Sequence, residues 1–211
     1  MRIAELSKRT GVPIATVKYY LRSELLHAGE ATAKNQADYD ESHVKRLRLI
    51  RSLVDQGRLS MADIGVVLTA VDDDSVSVHD AFGAAQDAMI SDASRTSAAY
   101  DAAIVEVDKF VRRHRLRVRP EARVRLMMAD AIVLVAQCFT SDPTTPVSSK
   151  IFDNFVAPIR RESEEAIASL STSQSRSTLV EQTVVGTVAY ELAANAIRRM
   201  ALEHYSSRRF G

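Results

Sequence analysis

The sequence predicts a mainly α-helical protein. Three observations carry that prediction. Apolar residues recur at spacings of three and four along most of the 211 residues. Gly (7) and Pro (5) are too few for the many turns of a β-rich fold. Hydrophobic residues make up 46% of the chain, much of it alanine, with no tryptophan, a composition suited to helix packing.

Taken in order, residues 1–26 read as two short helices joined by a turn. Ile3 and Leu6 lie one helical turn apart, and Val17 and Leu21 repeat that spacing. Gly11 supplies a turn conformation that other residues adopt at a cost, and Pro13 restarts the chain for a first helical turn. Small Ser7 permits a close crossing, so the stretch has the parts of a helix-turn-helix. The second helix carries Thr16, Lys18, Tyr19, Tyr20 and Arg22 and ends in Leu25-Leu26. A loop reaches Tyr39. Asp40 then opens a third helix through the run His43 to Ile50, and Gly57 stops it. Ser60 and Asp63 form a capping-box pattern for a fourth helix with Ile64, Val67 and Leu68 on its packing face. Asp72-Asp73-Asp74 marks the end of the head.

Residues 75–112 read as a long helix or helix pair with Phe82, Met89, Tyr100, Val107 and Phe110 at helical spacing, the polar patch 91–97 being the place for a break. Pro120 predicts the start of another helix running to Phe139. A loop with Pro143 and Pro146 follows, then a helix from Ser149 that Pro158 kinks or splits, continuing to Leu170. After a serine-rich loop, Thr178 and Glu181 form a second capping box, opening a last helix through Met200. The chain thus divides into a head (1–71), a linking segment (72–117) and a helical body (118–211).

The stretches TVKYYLRSELL, YDESHVKRLRLI and GRLSMADI, in that order, resemble the DNA-binding domain of the MerR family of bacterial regulators. The resemblance covers about the first third of the chain. It implies that the loop at 27–38 is a two-stranded wing and that the second helix enters duplex DNA. It places contacts on the second helix, at Thr16, Lys18, Tyr19, Tyr20 and Arg22, with Lys34 near the wing tip and Tyr39 at its close; the residues themselves suggest that at least one tyrosine packs inward, and Arg46 in the basic run of the third helix is read as a phosphate contact or part of a solvated face. Early residues of such a helix face base edges, and flanking Lys, Arg and Tyr face phosphates. One departure weakens the wing: the family's arginine two residues before the closing tyrosine is Ala37, with Asp38 beside it. The resemblance also implies a homodimer paired through the segment at 72–117, although Ala, Gln86 and Thr96 stand where leucines would make a strong seam.

Net charge is +1, and its distribution says more than its total. Residues 72–108 hold nine acids and one arginine, whereas residues 109–125 hold eight Lys or Arg and one acid. Adjacent blocks of opposite sign are expected to pair with each other, within a subunit or across a dimer, rather than to bind nucleic acid.

The chemistry of metals and enzymes finds little footing. Cys138 is the single cysteine; it sits in an apolar run and reads as a buried structural thiol, and it excludes an intramolecular disulfide or a cysteine-ligated cluster. The five histidines are scattered in sequence without an HExxH arrangement. No metal, cofactor or catalytic residue is assigned, and no secretory segment or membrane-spanning run is present, so a cytoplasmic location is expected. A small organic effector would sit between helices of the body, with Met128, Phe139, Phe155 and Tyr190 as candidate liners beside Met127 and Phe152. The resulting expectation is a regulator that binds a near-palindromic operator in duplex DNA and distorts it, reaching RNA polymerase only through that DNA. Two alternatives stand beside it: an effector-independent accessory DNA-binder of the excisionase-like kind, and a regulator controlled by a protein partner.

Overall fold

The computed structural model describes every residue except 34–35, 56–58, 91–94 and 141–146. It is mainly helical. Helix α1 (Ile3–Thr10) ends at Gly11, whose φ of 69° lies in the left-handed region and whose N–H donates to the Ser7 carbonyl at 2.9 Å. The Ser7 hydroxyl donates across the turn to the Val12 carbonyl at 2.6 Å, and α2 (Ile14–Arg22) follows. Two short antiparallel strands, β1 (Glu30–Ala33) and β2 (Gln36–Asp38), form the wing. The chain's own start closes it: the Met1 amino group donates to the Tyr39 carbonyl at 2.7 Å, and the Tyr39 N–H donates to the Met1 carbonyl at 2.8 Å.

Helix α3 (Glu41–Asp55) leads to α4 (Met61–Asp72), which the capping box opens as expected, the Ser60 hydroxyl accepting from the Asp63 N–H at 3.1 Å. The body comprises α5 (Val78–Ala88), α6 (Ala98–Arg113), α7 (Val124–Phe139), a 3-10 helix (Ser149–Phe155), α8 (Val156–Ala168) and α9 (Arg176–Phe210). The head's core does not stop at Asp72. Leu6, Val17, Leu47, Ile50 and Val67 are buried in one apolar cluster with Ala81 and Ala85 of α5 and Val180 and Val184 of α9. A second cluster joins Tyr100, Ala103 and Val107 of α6 to Ala129 and Ile132 of α7.

Polar contacts fasten these layers. The Arg176 guanidinium donates to the carbonyls of Val71 (2.9 Å), Ala70 (3.1 Å) and Val76 (2.9 Å), satisfying the open C-terminal end of α4 with a cation that also suits the helix dipole. The buried Glu106 accepts from the Ser149 N–H at 3.0 Å and pairs with Lys109 at 2.6 Å; these bonds hold its carboxyl below the usual carboxylate range. Asp153 takes Arg113 at 2.7 Å and His114 at 2.8 Å.

The acidic and basic blocks pair inside the chain. Arg119 meets Asp87 at 2.6 Å, and Arg125 meets Asp108. The Arg119 guanidinium lies against Gly83, where a Cβ would come within 2.8 Å of its Nη2 and shift it.

The segment at 75–112 takes the helix-pair form of the expectation, as α5 and α6, with part of the expected break, residues 91–94, outside the described residues; so are Gly57 and the loop prolines Pro143 and Pro146. Several elements differ from the sequence expectation. The helix assigned to Pro120 begins at Val124, with Pro120 in a preceding turn, and the Asp87 carboxylate accepts from the Arg123 N–H at 2.8 Å, fastening the residue just before α7. The stretch from Ser149 is a 3-10 helix, and Pro158 sits within the first turn of α8, where its missing N–H costs nothing. The last helix is capped by Ser175 rather than Thr178, whose N–H donates to the Ser175 hydroxyl at 3.3 Å, and it runs on to Phe210. Cys138 is exposed, since the apolar run 131–139 turns Ile132 and Ala136 inward and leaves Cys138 on the opposite side of α7.

Candidate nucleic-acid interface

Helix α2 separates its residues by angle. Val17 and Tyr20, three apart, are buried, and Tyr20 keeps only 6% of its surface. Ala15, Lys18, Tyr19 and Arg22, spaced three, one and three, share the opposite side and are exposed, Tyr19 at 41%. Thr16 lies between the two faces, half-buried. The inward tyrosine expected from the sequence is therefore Tyr20. Burial in the head, with the nearby Asp55 charge adding to it, pushes its hydroxyl above the ordinary tyrosine range.

The turn that presents this face is fastened from behind. The Thr10 hydroxyl donates to the Leu6 carbonyl at 2.8 Å, and the Arg51 guanidinium reaches across from α3 to the Thr10 carbonyl at 3.1 Å. On one flank the wing is tied to α1, with Arg2 donating to the Thr32 hydroxyl at 2.6 Å and standing 3.5 Å from Asp38. Asp38, a negative charge out of place at a DNA surface, is thereby partly neutralised. Lys45 and Arg48 are exposed on α3.

Three of the residues expected on DNA have other work. Tyr20 is core. Tyr39 is buried too, its ring edge-on to His43 at 5.1 Å between centroids. Arg46 is 9% exposed and pairs with Asp72, because the spacing of α3 turns it toward the head–body junction. Lys34 lies outside the described residues.

The histidines are not all scattered in space. His27 and His43 bring their rings to 3.9 Å between centroids, and the ligand atoms of His27, Asp40 and His43 lie within 4.8 Å of one another, close enough to hold a metal ion. The donors also satisfy one another. Asp40 accepts from the Ser42 hydroxyl at 2.5 Å and stands 2.7 Å from the Nδ1 of the buried His43, which together hold its carboxyl well below the usual range, and it accepts from the Ser42 N–H at 2.9 Å at the start of α3. Burial, then the charges of His43 and Arg46, lower the pKa of His27. A neighbouring guanidinium opposes a cation, so the arrangement reads as a helix cap with a stacked ring. Asp40 and His43 at i, i+3 were visible in the sequence; His27 was not, because only the wing's return brings it there.

The four effector candidates do not converge. Met128 packs half-buried against the α6–α7 cluster, Phe139 is 84% exposed at the end of α7, and Phe155 lies under Arg198 at 6.0 Å. Tyr190 alone of the four lines a cleft of about 670 Å³ between α8 and α9, walled by Ile159, Ile167 and Leu170 on one side and by Thr183 and Gly186 on the other. The missed signal was the amphipathic spacing of Ile159, Ser163, Ala166 and Leu170 in a helix whose apolar side no other segment was assigned to cover.

Comparison with known proteins agrees with this geometry. The family model described as MerR HTH family regulatory protein matches residues 1–71. The crystal structure of SCO5550 from Streptomyces coelicolor A3(2), described as a transcriptional regulator, is similar over 100% of this chain and 98% of its own, at 31% identity and a TM-score of 0.76. No match was found among curated proteins. Both similarities indicate a transcriptional regulator rather than an enzyme. No helix among the described residues is long and apolar enough to cross a membrane.

Proposed function

Because the chain belongs to the MerR family of helix-turn-helix regulators, we propose that it acts as a cytoplasmic homodimer that binds a near-palindromic promoter operator and distorts it, changing how RNA polymerase meets that promoter. One observation carries the reading. The exposed side of α2 presents Lys18, Tyr19 and Arg22 together, on a helix whose other side is locked into the head core by Val17 and Tyr20. A helix held this way enters a major groove without rearranging, its cations meeting phosphates and its early residues base edges. Thr16 stands at the edge of that face. The wing, with Ala37 in place of an arginine, contributes through Lys34 and backbone groups.

The test is a gel shift on the promoter DNA flanking the gene, with competitor DNA present. Wild type is expected to form a specific complex. Lys18→Ala with Arg22→Ala is expected to lose it while keeping its circular-dichroism spectrum, since neither side chain is buried. Equal affinity of the two proteins removes the proposal.

Control by a small organic effector has its support in the α8–α9 cleft, where apolar walls and a few polar groups suit a drug-sized molecule. A metabolite panel in a thermal-shift assay, run beside a Tyr190→Ala variant, tests that part separately from DNA binding.

A further inference from the structure

Helix α9 is 35 residues long, about 52 Å. Its first half is anchored through Val180, Val184 and Val188, but every residue from Ala189 to Gly211 is exposed. That arm carries Ile197 (62% exposed), Met200 (61%) and Tyr205 (66%). An isolated helical stretch of this length is marginal in water and draws its stability from packing an apolar side. Among the described residues, α8 flanks only the arm's start, across the cleft at Tyr190 and Ala194 and through Phe155 under Arg198, and every residue beyond is exposed.

From these features we infer that the arm is the dimer interface: two α9 helices run antiparallel, and each arm lies along the α8–α9 cleft of the other protomer. The inference rests on the homodimer of the preceding subsection and moves its seam. The linking segment at 72–117 has spent its apolar sides within the chain, α5 through Ala81, Ala85 and Ala88 and α6 through Tyr100, Ala103 and Val107.

Three features single out a second copy as the occupant. The first is self-complementarity, which a twofold interface requires. Thr183, Gly186, Thr187, Tyr190 and Ala194 line the cleft, and the same helical stripe continues as Ile197, Ala201 and Tyr205. One half is small and recessed, the other bulky and protruding, so antiparallel overlap sets knobs opposite holes. The second is Gly186. It sits inside a helix, where glycine costs about 0.5–1 kcal/mol relative to alanine, and a Cβ there would meet nothing within 4 Å. Close approach of another helix gives it a purpose. The third is charge. The cleft carries the acids Glu162 and Glu191, whereas the arm beyond it carries Arg198, Arg199, Arg208 and Arg209 against the single acid Glu203. Overlap of Tyr205 with Gly186 puts the twofold axis near Ala196, and an effector in the cleft would then touch a wall supplied by the partner.

The experiment is sedimentation equilibrium of the full chain at micromolar concentration. Wild type is expected at twice the chain mass, and Ile197→Asp with Tyr205→Asp at half the wild-type value. Both positions are exposed, so the variant keeps its fold, which its thermal unfolding reports. In a Cys138→Ser background, Ile197→Cys is expected to cross-link to its mate through a short bis-maleimide and Arg176→Cys is not. A double variant that stays dimeric overturns the inference, leaving the cleft to an effector or another protein, without touching the dimer or DNA reading. A monomeric wild type overturns both the inference and the dimer. Loss of DNA binding in an arm-paired dimer counts against the proposed function alone.

Discussion

Arg46 on α3 and Asp72 at the last turn of α4 form an ion pair at the junction of head and body. The arginine is nearly enclosed, the aspartate about half exposed, and Glu181 of α9 lies near enough for the Arg46 charge to act on it. The pair ties α3 to the last turn of α4, so a residue that by position could have met phosphate instead couples two helices where the head meets the body.

Asp72→Ala leaves that enclosed guanidinium without its carboxylate. Partial exposure of the aspartate screens the interaction, so a loss of about 1–2 kcal/mol is expected, below the range for a fully buried pair. Urea denaturation followed by circular dichroism checks it. An unchanged midpoint counts against a coupling role.

Tyr20 and Lys18 sit two residues apart and should fail in opposite ways. Tyr20→Ala empties a core position and is expected to cost about 3 kcal/mol of stability, with DNA affinity falling only as the head unfolds. Lys18→Ala is expected to leave the melting temperature unchanged, weaken binding to all duplex sequences and reduce the salt slope of log K by about one. Salt titrations of the two variants separate the roles; a normal salt slope for Lys18→Ala would mean that this side chain meets no phosphate.

The lowered pKa of His27 makes the head acid-sensitive. The folded protein holds the ring neutral, while the unfolded chain takes up a proton near the ordinary histidine value of about 6.5. Below that pH the unfolded state binds more protons, so stability that is complete above about pH 6.5 is lost as pH falls toward the folded value. His27→Gln is expected to flatten the dependence between about pH 7 and pH 5. Parallel slopes for wild type and variant would assign the acid sensitivity elsewhere.

Tyr100 makes the opposite prediction at high pH. Burial first, then its bond to Asp130, push its hydroxyl up to about 12, and it also donates to the Leu126 carbonyl at 3.0 Å. The unfolded chain releases this proton near pH 10. Stability is therefore present below about pH 10 and lost as pH climbs from there toward the folded value. Tyr100→Phe is expected to remove that alkaline loss and to cost about 1.5–3 kcal/mol at neutral pH, the range for a bond to a charged acceptor. Melting temperatures of both proteins across this range decide it.

The elements legible in the sequence are those whose cause is local. Gly11 ends α1 through its own φ, Ser60 caps α4 through an N–H three residues on, and Ile64, Val67 and Leu68 pack because helical spacing puts them on one side. Those signals need only neighbouring residues, which is why the helix-turn-helix and its Lys18, Tyr19 and Arg22 face could be read directly, although which tyrosine turned inward could not. What tertiary structure alone decided joins groups far apart in the chain. Asp87 holds the Arg123 N–H, 36 residues later, just before α7, whereas Pro120 stays in the preceding turn; Arg176 closes the end of α4 from 105 residues away; Arg46 turns inward to Asp72. The sequence by itself determined a helical head with a helix-turn-helix, because periodicity and capping are properties of short stretches, while its DNA-reading role came from the family resemblance. The use of each charge, the joining of head to body and the bare arm of α9 were decided by the fold, because a charged side chain's partner depends on which distant surface packing brings within reach.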